Sequence, residues 1–114
     1  MLSIVIPALN EEEALPSTLA RTLAAAKALR ASSGMEVEVL LVDDGSQDGT
    51  AQIARSFEGV RVLSHGINRG YGAAIKTGFS AAKGEWLGFL DADGTCDPLS
   101  FTGLIKELRR QRAD

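Results

Sequence analysis

Two aspartates separated by one residue, Asp91 and Asp93, follow the apolar run at residues 86–90 and precede Gly94. Residues two apart in extended chain point to the same side, so both carboxylates can face one ligand. Paired hard oxygen donors suit Mg²⁺ or Mn²⁺, which fill their remaining positions with water and substrate phosphates. A diphosphate held this way leaves more readily, because the cation neutralises the charge that develops as the bond breaks. Taken alone, Asp-x-Asp-Gly reads first as a turn whose aspartates bond nearby amides. Its neighbours in the sequence reverse that preference.

A second acidic stretch, DDGSQDGT from Asp43 to Thr50, closes another apolar run. A carboxylate there can accept hydrogen bonds from a nucleobase imide or a ribose hydroxyl. Asp43, nearest the run, is the better ligand candidate. Gly45, Ser46, Asp48 and Thr50 are explained by a tight turn and a helix cap. Asn68-Arg69-Gly70-Tyr71-Gly72 precedes a helical pattern. Its glycines allow close backbone approach, a helix start attracts anions, and Arg69 brings a positive charge suited to a diphosphate. The first run is followed by PALNEE instead of a glycine-rich fingerprint, which argues against a dinucleotide site.

His65 has no acidic or cysteine neighbour in sequence and reads as a loop residue. Cys96 lies near the Asp-x-Asp pair, but nothing marks it as a nucleophile. Asp97 is explained as the cap before Pro98. Some of Glu11, Glu12 and Glu13 are explained by the electrostatics of a helix start.

These groups need a scaffold that gathers them. Four short apolar, β-branched runs, at residues 2–6, 37–42, 60–63 and 86–90, lack clean alternation and suit strands buried on both faces. Between them, Leu15, Leu19, Leu23, Ala26 and Leu29 recur at helical spacing. For the start of that helix, Asn10 with Glu13 suits a capping box and Pro16 suits a first turn; Ser32-Ser33-Gly34 ends it. A second helix opens at Asp48-Gly49-Thr50 with Ile53, Ala54 and Phe57. A third spans about 71–83, where Ala74, Gly78 and Ala81 or Ala82 permit close approach. A fourth begins at Asp97-Pro98. The alternation predicts an α/β fold: one mainly parallel four-stranded sheet flanked by helices. Ligands of such sheets bind at the carboxyl ends of the strands, where these polar stretches fall.

The chain has 114 residues, 45% apolar and 24% charged, which is enough for one domain with a real core. A net charge of -3 offers no broad basic surface, so nucleic acid is not an expected partner. A single cysteine excludes an intramolecular disulfide and a cysteine metal cluster. Strand-like sequence from Leu2 predicts no secretory leader, and no apolar run approaches the ~20 residues of a membrane span. The expected location is cytoplasmic.

Four ordered segments resemble the inverting family 2 of glycosyltransferases, which have the Rossmann-like GT-A fold. They are SIVIPALNE from Ser3, LVDDGSQDGT from Leu41, NRGYGAAIKTGF from Asn68 and GEWLGFLDADG from Gly84. The resemblance implies that Pro7, Ala8, Glu11 and Asp43 contact the base and ribose of a UDP- or GDP-sugar. It places Asn68, Arg69 and Gly70 beside the nucleotide, Asp91 toward the sugar and ribose, and Asp93 toward the metal. The stretch from Asn68 is most similar to the subgroup that transfers sugars to polyprenyl phosphates. That acceptor would bring the chain to the cytoplasmic face of the membrane as a peripheral protein.

Family members usually continue for another hundred or so residues that supply the acceptor site and general base. Residues 1–114 are therefore expected to be a single nucleotide-sugar-binding domain, truncated relative to a full GT-A domain. An inverting displacement needs a base or an already anionic acceptor, and no base is identifiable in the sequence. Two readings follow: the donor-binding part of a glycosyltransferase, or a binding module without turnover. A sugar nucleotidyltransferase is less fitting, because its glycine-rich phosphate loop is absent after the first strand. An uncovered sheet edge predicts a homo-oligomer or a partner chain.

Overall fold

The computed structural model describes residues 1–93. Four strands, β1 (Leu2–Ala8), β2 (Val37–Asp43), β3 (Val60–Ser64) and β4 (Trp86–Phe89), form one sheet in the order β3-β2-β1-β4. All pairings are parallel, as the strand–helix alternation predicts. Leu2 stands opposite both Val37 and Trp86, and Ala8 stands opposite Asp43. The two interior strands are therefore β1 and β2, and all seven residues of β1 are buried. Burial on both faces is why its sequence shows no alternation.

Alternate residues of the strands feed two cores. Leu2, Ile4 and Ile6 join Val39 and Leu41 against α1 (Leu15–Ser33), which contributes Leu15, Leu19, Ala26 and Leu29. The short α2 (Thr50–Arg55) adds Ala54 to this larger core. On the other face, Val5 and Val42 pack with Ala74 of α3 (Tyr71–Ala81), flanked by Leu63 and Phe79. Gly78 lets α3 lie flat on β1, since a Cβ there would sit 2.3 Å from Val5 Cγ1. Each fully buried leucine contributes roughly 1.5–3 kcal/mol. Leu19→Ala would cost roughly 2–5 kcal/mol, the lost transfer energy plus a cavity.

Element ends depart from the sequence reading in instructive ways. Pro16 does open α1, after Ala14, and Gly34 closes it with a left-handed φ of 71°. The Asn10–Glu13 capping box does not form: Asn10 itself is left-handed (φ 53°), and its side chain accepts the Gln47 amide. α2 stops at Arg55, so Phe57 reaches the larger core from beyond the helix. α3 ends at Ala81, because Ala82 turns extended. Among the described residues, no helix is long and apolar enough to cross a membrane. The predicted fourth helix, Gly94 and Cys96 lie outside the described residues.

Candidate functional site

The loops at the carboxyl ends of β1, β2 and β4, with the start of α3, enclose a cleft of about 380 Å³. It is lined by Pro7, Ala8, Leu9, Glu11, Asp44, Tyr71, Ala74, Asp91, Ala92 and Asp93. Because β1 lies between β2 and β4, Asp44 and Asp91 stand two strand spacings apart. That is roughly 10 Å from one end of the cleft to the other.

At the β2 end the chain leaves the sheet at Asp44, whose own amide donates to the Ala8 carbonyl at 2.8 Å. Asp44 is only 4% exposed, and its carboxylate is richly solvated by protein. The Arg69 amide donates to Oδ1 at 2.9 Å and the Gly70 amide to Oδ2 at 2.9 Å. His65 Nδ1 meets Oδ1 at 2.7 Å. Burial pushes the Asp44 carboxyl up, but these donors and the imidazole outweigh it and hold it below the usual carboxylate range. The amides at the start of α3 are thus engaged by an internal anion. His65 is itself buried, and its Nε2 lies 2.8 Å from Thr77 Oγ1 on α3.

At the β4 end Asp91 accepts a hydrogen bond from the Tyr71 hydroxyl at 2.6 Å, and Asp93 is exposed. Glu11 faces both from the β1 loop. Partial burial, then the charges of Asp93, Asp48 and Asp91, push its carboxyl above the usual range. Like charges have been gathered here. Among the described residues no three metal-ligating side chains converge into a closed site. The Asp91 and Asp93 pair leaves most of a cation's positions to water and ligand oxygens, which is the habit of Mg²⁺ and Mn²⁺.

The loops that follow β1 and β2 are laced together. The Asn10 amide donates to Ser46 Oγ, the Glu11 amide to Thr50 Oγ1, and the Glu12 amide to Asp48. In return, the Gly49 amide donates to the Glu12 carboxylate. Ser46, Asp48 and Thr50 therefore hold the β1 loop as well as their own turn. Gly45 has φ 82°, and a Cβ on it would lie 2.6 Å from the Asn68 nitrogen. Only glycine lets the β2 loop press against the loop that carries Arg69 and Gly70.

Of the residues singled out from sequence, Pro7, Ala8, Glu11, Asp91 and Asp93 meet in the cleft. Asp43 does not line it: its Oδ1 accepts the Ser46 amide at 3.1 Å and holds the turn. Asn68 and Arg69 are exposed outside the lining; Arg69 and Gly70 act through their backbone amides on Asp44. Asp44, His65, Tyr71 and Thr77 are not among the site residues that sequence reasoning singles out. A signal for Asp44 exists, as the second member of the Asp-Asp pair. His65 has none, since its carboxylate partner lies 21 positions away.

The sequence model of glycosyl transferase family 2 matches residues 3–114. The chain belongs to that family. It is 42% identical over 111 residues to an undecaprenyl-phosphate 4-deoxy-4-formamido-L-arabinose transferase of Pseudomonas fluorescens, covering 93% of this chain and 31% of the relative. A dolichyl-phosphate beta-glucosyltransferase of Drosophila melanogaster is 43% identical over 100 residues, covering 82% of this chain and 31% of that protein. Among solved structures, glucosyl-3-phosphoglycerate synthase from Mycobacterium tuberculosis superposes with a TM-score of 0.73 at 29% identity. That match covers 96% of this chain and 39% of the other, which was crystallised with Mn²⁺, UDP and glucosyl-3-phosphoglycerate. The four-stranded parallel sheet is accordingly the Rossmann-like half of a GT-A fold. This family 2 chain spans about a third of the length of the curated relatives it matches.

Proposed function

We propose that this family 2 chain is the donor-binding part of a metal-dependent glycosyltransferase. Its cleft takes a nucleoside diphosphate sugar, with the base toward Asp44 and the diphosphate toward Asp91 and Asp93. One observation carries the reading: among the described residues the cleft lining holds four carboxylates and no lysine or arginine. Such a lining repels a diphosphate unless a divalent cation stands between them. Glu11, pushed up in pKa by burial and neighbouring acids, registers the same excess of negative charge. Asp91 and Asp93 would hold the cation, which when bound makes the diphosphate a better leaving group.

The residues of the chain do the rest. Pro7, Ala8 and Leu9 offer a flat apolar wall for a base. An ionised Asp44 only accepts hydrogen bonds, so it selects a ring N–H. Uracil N3 and guanine N1 carry that hydrogen, whereas cytosine N3 and adenine N1 present a lone pair that a carboxylate repels. Asp43 then acts through the turn it holds. The names of the relatives point to a polyprenyl phosphate acceptor. Such an acceptor is already anionic and needs no general base. It would bring the protein to the membrane face.

Calorimetric titration with UDP, GDP, CDP and ADP, each with and without Mn²⁺, tests this. UDP or GDP is expected to bind only with the metal, and CDP and ADP far more weakly. Equal affinity for all four, or binding indifferent to metal, would sink the reading. Binding of the donor without transfer to a polyprenyl phosphate would mark a binding module.

A further inference from the structure

We propose that His65 is a positioning residue that sets the base selectivity of the cleft by locking the Asp44 carboxylate. This rests on the donor-site reading above. Asp44 Oδ1 receives the Arg69 amide and His65 Nδ1, and Oδ2 receives the Gly70 amide. A carboxylate has about four acceptor sites, so three internal donors leave about one for a ligand. Which way that last site points is decided by the donors.

The imidazole is held from three sides. Its backbone amide donates to the Asp43 carbonyl at 2.8 Å, extending the β2–β3 ladder past Ser64. Nδ1 carries the hydrogen, because an ionised Asp44 only accepts. In the neutral ring, Nε2 then accepts from the Thr77 hydroxyl at 2.8 Å. Thr77 stands on α3, one turn beyond Ala74, which lines the cleft and packs on Val5 and Val42. His65 thus ties the rotamer of Asp44 to the seat of α3 on the sheet. No ligand contact is needed for it to matter: freed of the ring, the carboxylate can turn its open site away from the base.

Asparagine and glutamine separate this role from a packing role. The amide nitrogen introduced by His65→Asn falls near the position of Nδ1, and that introduced by His65→Gln falls near the position of Nε2. The test measures affinity of the chain, with Mn²⁺, for UDP and N3-methyl-UDP, or for GDP and N1-methyl-GDP if guanine is preferred. The wild type is expected to favour the unmethylated nucleotide by roughly tenfold or more, the worth of a charge-assisted hydrogen bond. His65→Gln should shrink that ratio to within about threefold, and His65→Asn should restore most of it. Thr77→Val, which leaves the Asp44 contacts intact, should give an intermediate ratio and serves if His65→Gln does not fold. A merely structural His65 would lower both affinities and leave the ratio unchanged, overturning the proposal. An undiminished ratio in both His65→Gln and Thr77→Val would overturn it while sparing the donor-site reading. A wild type that binds neither nucleotide with Mn²⁺ removes both.

Discussion

At the β2 end of the cleft one carboxylate, Asp44, receives three N–H groups, whereas at the β4 end Asp91, Asp93 and Glu11 gather with no basic side chain in the lining among the described residues. The difference is visible in opposite pKa displacements: Asp44 is held low and Glu11 is pushed high. An anion whose donors come from the protein is finished, and what it offers a ligand is one directed acceptor. Anions crowded against each other offer a place for positive charge. A nucleotide sugar bridged by a cation asks for both, an acceptor for its base and positive charge beside its diphosphate.

The largest effect is expected from removing the acids of the β4 end. Asp91→Asn and Asp93→Asn should each cost about a hundredfold or more in Mn²⁺-dependent nucleotide affinity, with little loss of folding stability. Calorimetry beside thermal unfolding checks this. A variant that binds as the wild type does would show that the β4 end is not a cation seat, and the contrast between the two ends would collapse.

Next in size is the support of the finished end. Gly45→Ala forces a left-handed backbone and drives a Cβ against Asn68, and should cost about 2–4 kcal/mol in urea unfolding. Gly66→Ala, in the β3–α3 loop that carries Asn68 but with nothing within 4 Å of the added carbon, should fall within about 0.5 kcal/mol of wild type. Equal effects would mean that the two loops do not brace one another.

The smallest effect is the most specific. Because the folded-state pKa of Glu11 is raised, its contribution is full below the unfolded value of 4.5 and is lost as pH rises through the folded value. Glu11→Gln should therefore be the more stable protein near pH 7, by a few tenths of a kcal/mol after solvent screening. The gain should close below pH 4.5, and saturating Mn²⁺ should shrink it as well. Asp44 has the opposite sign: its contribution is present above the ordinary aspartate value and is lost as pH falls through the depressed one. Unfolding curves for wild type and Glu11→Gln across about pH 2 to 7 read both slopes, and a gain independent of pH would refute the like-charge cause.

What could be read from sequence shared one property: it depended on neighbours along the chain. Strand–helix alternation, the burial of β1 on both faces, the glycine closing α1 and the close approach at Gly78 all follow from local period and residue size. The Asp91 and Asp93 pair was legible as two acids one residue apart just past an apolar run, although β4 ends at Phe89 and residues 92 and 93 form a turn, where the period of extended chain no longer applies. Where the chain leaves the sheet, that period stops applying. Asp43 is the last residue of β2 and Asp44 the first beyond it, and nothing local says which carboxylate turns to the cleft. The strand order β3-β2-β1-β4 decides it, by bringing the β3–α3 loop against the end of β2 so that the Arg69 and Gly70 amides capture Asp44. The same packing brought His65 to an acid 21 residues earlier and Glu12 to the amide of Gly49. Residue types along the chain determined which chemistry was on hand; the order of the strands determined which groups face each other, because hydrogen bonds and charges act across space and not along sequence.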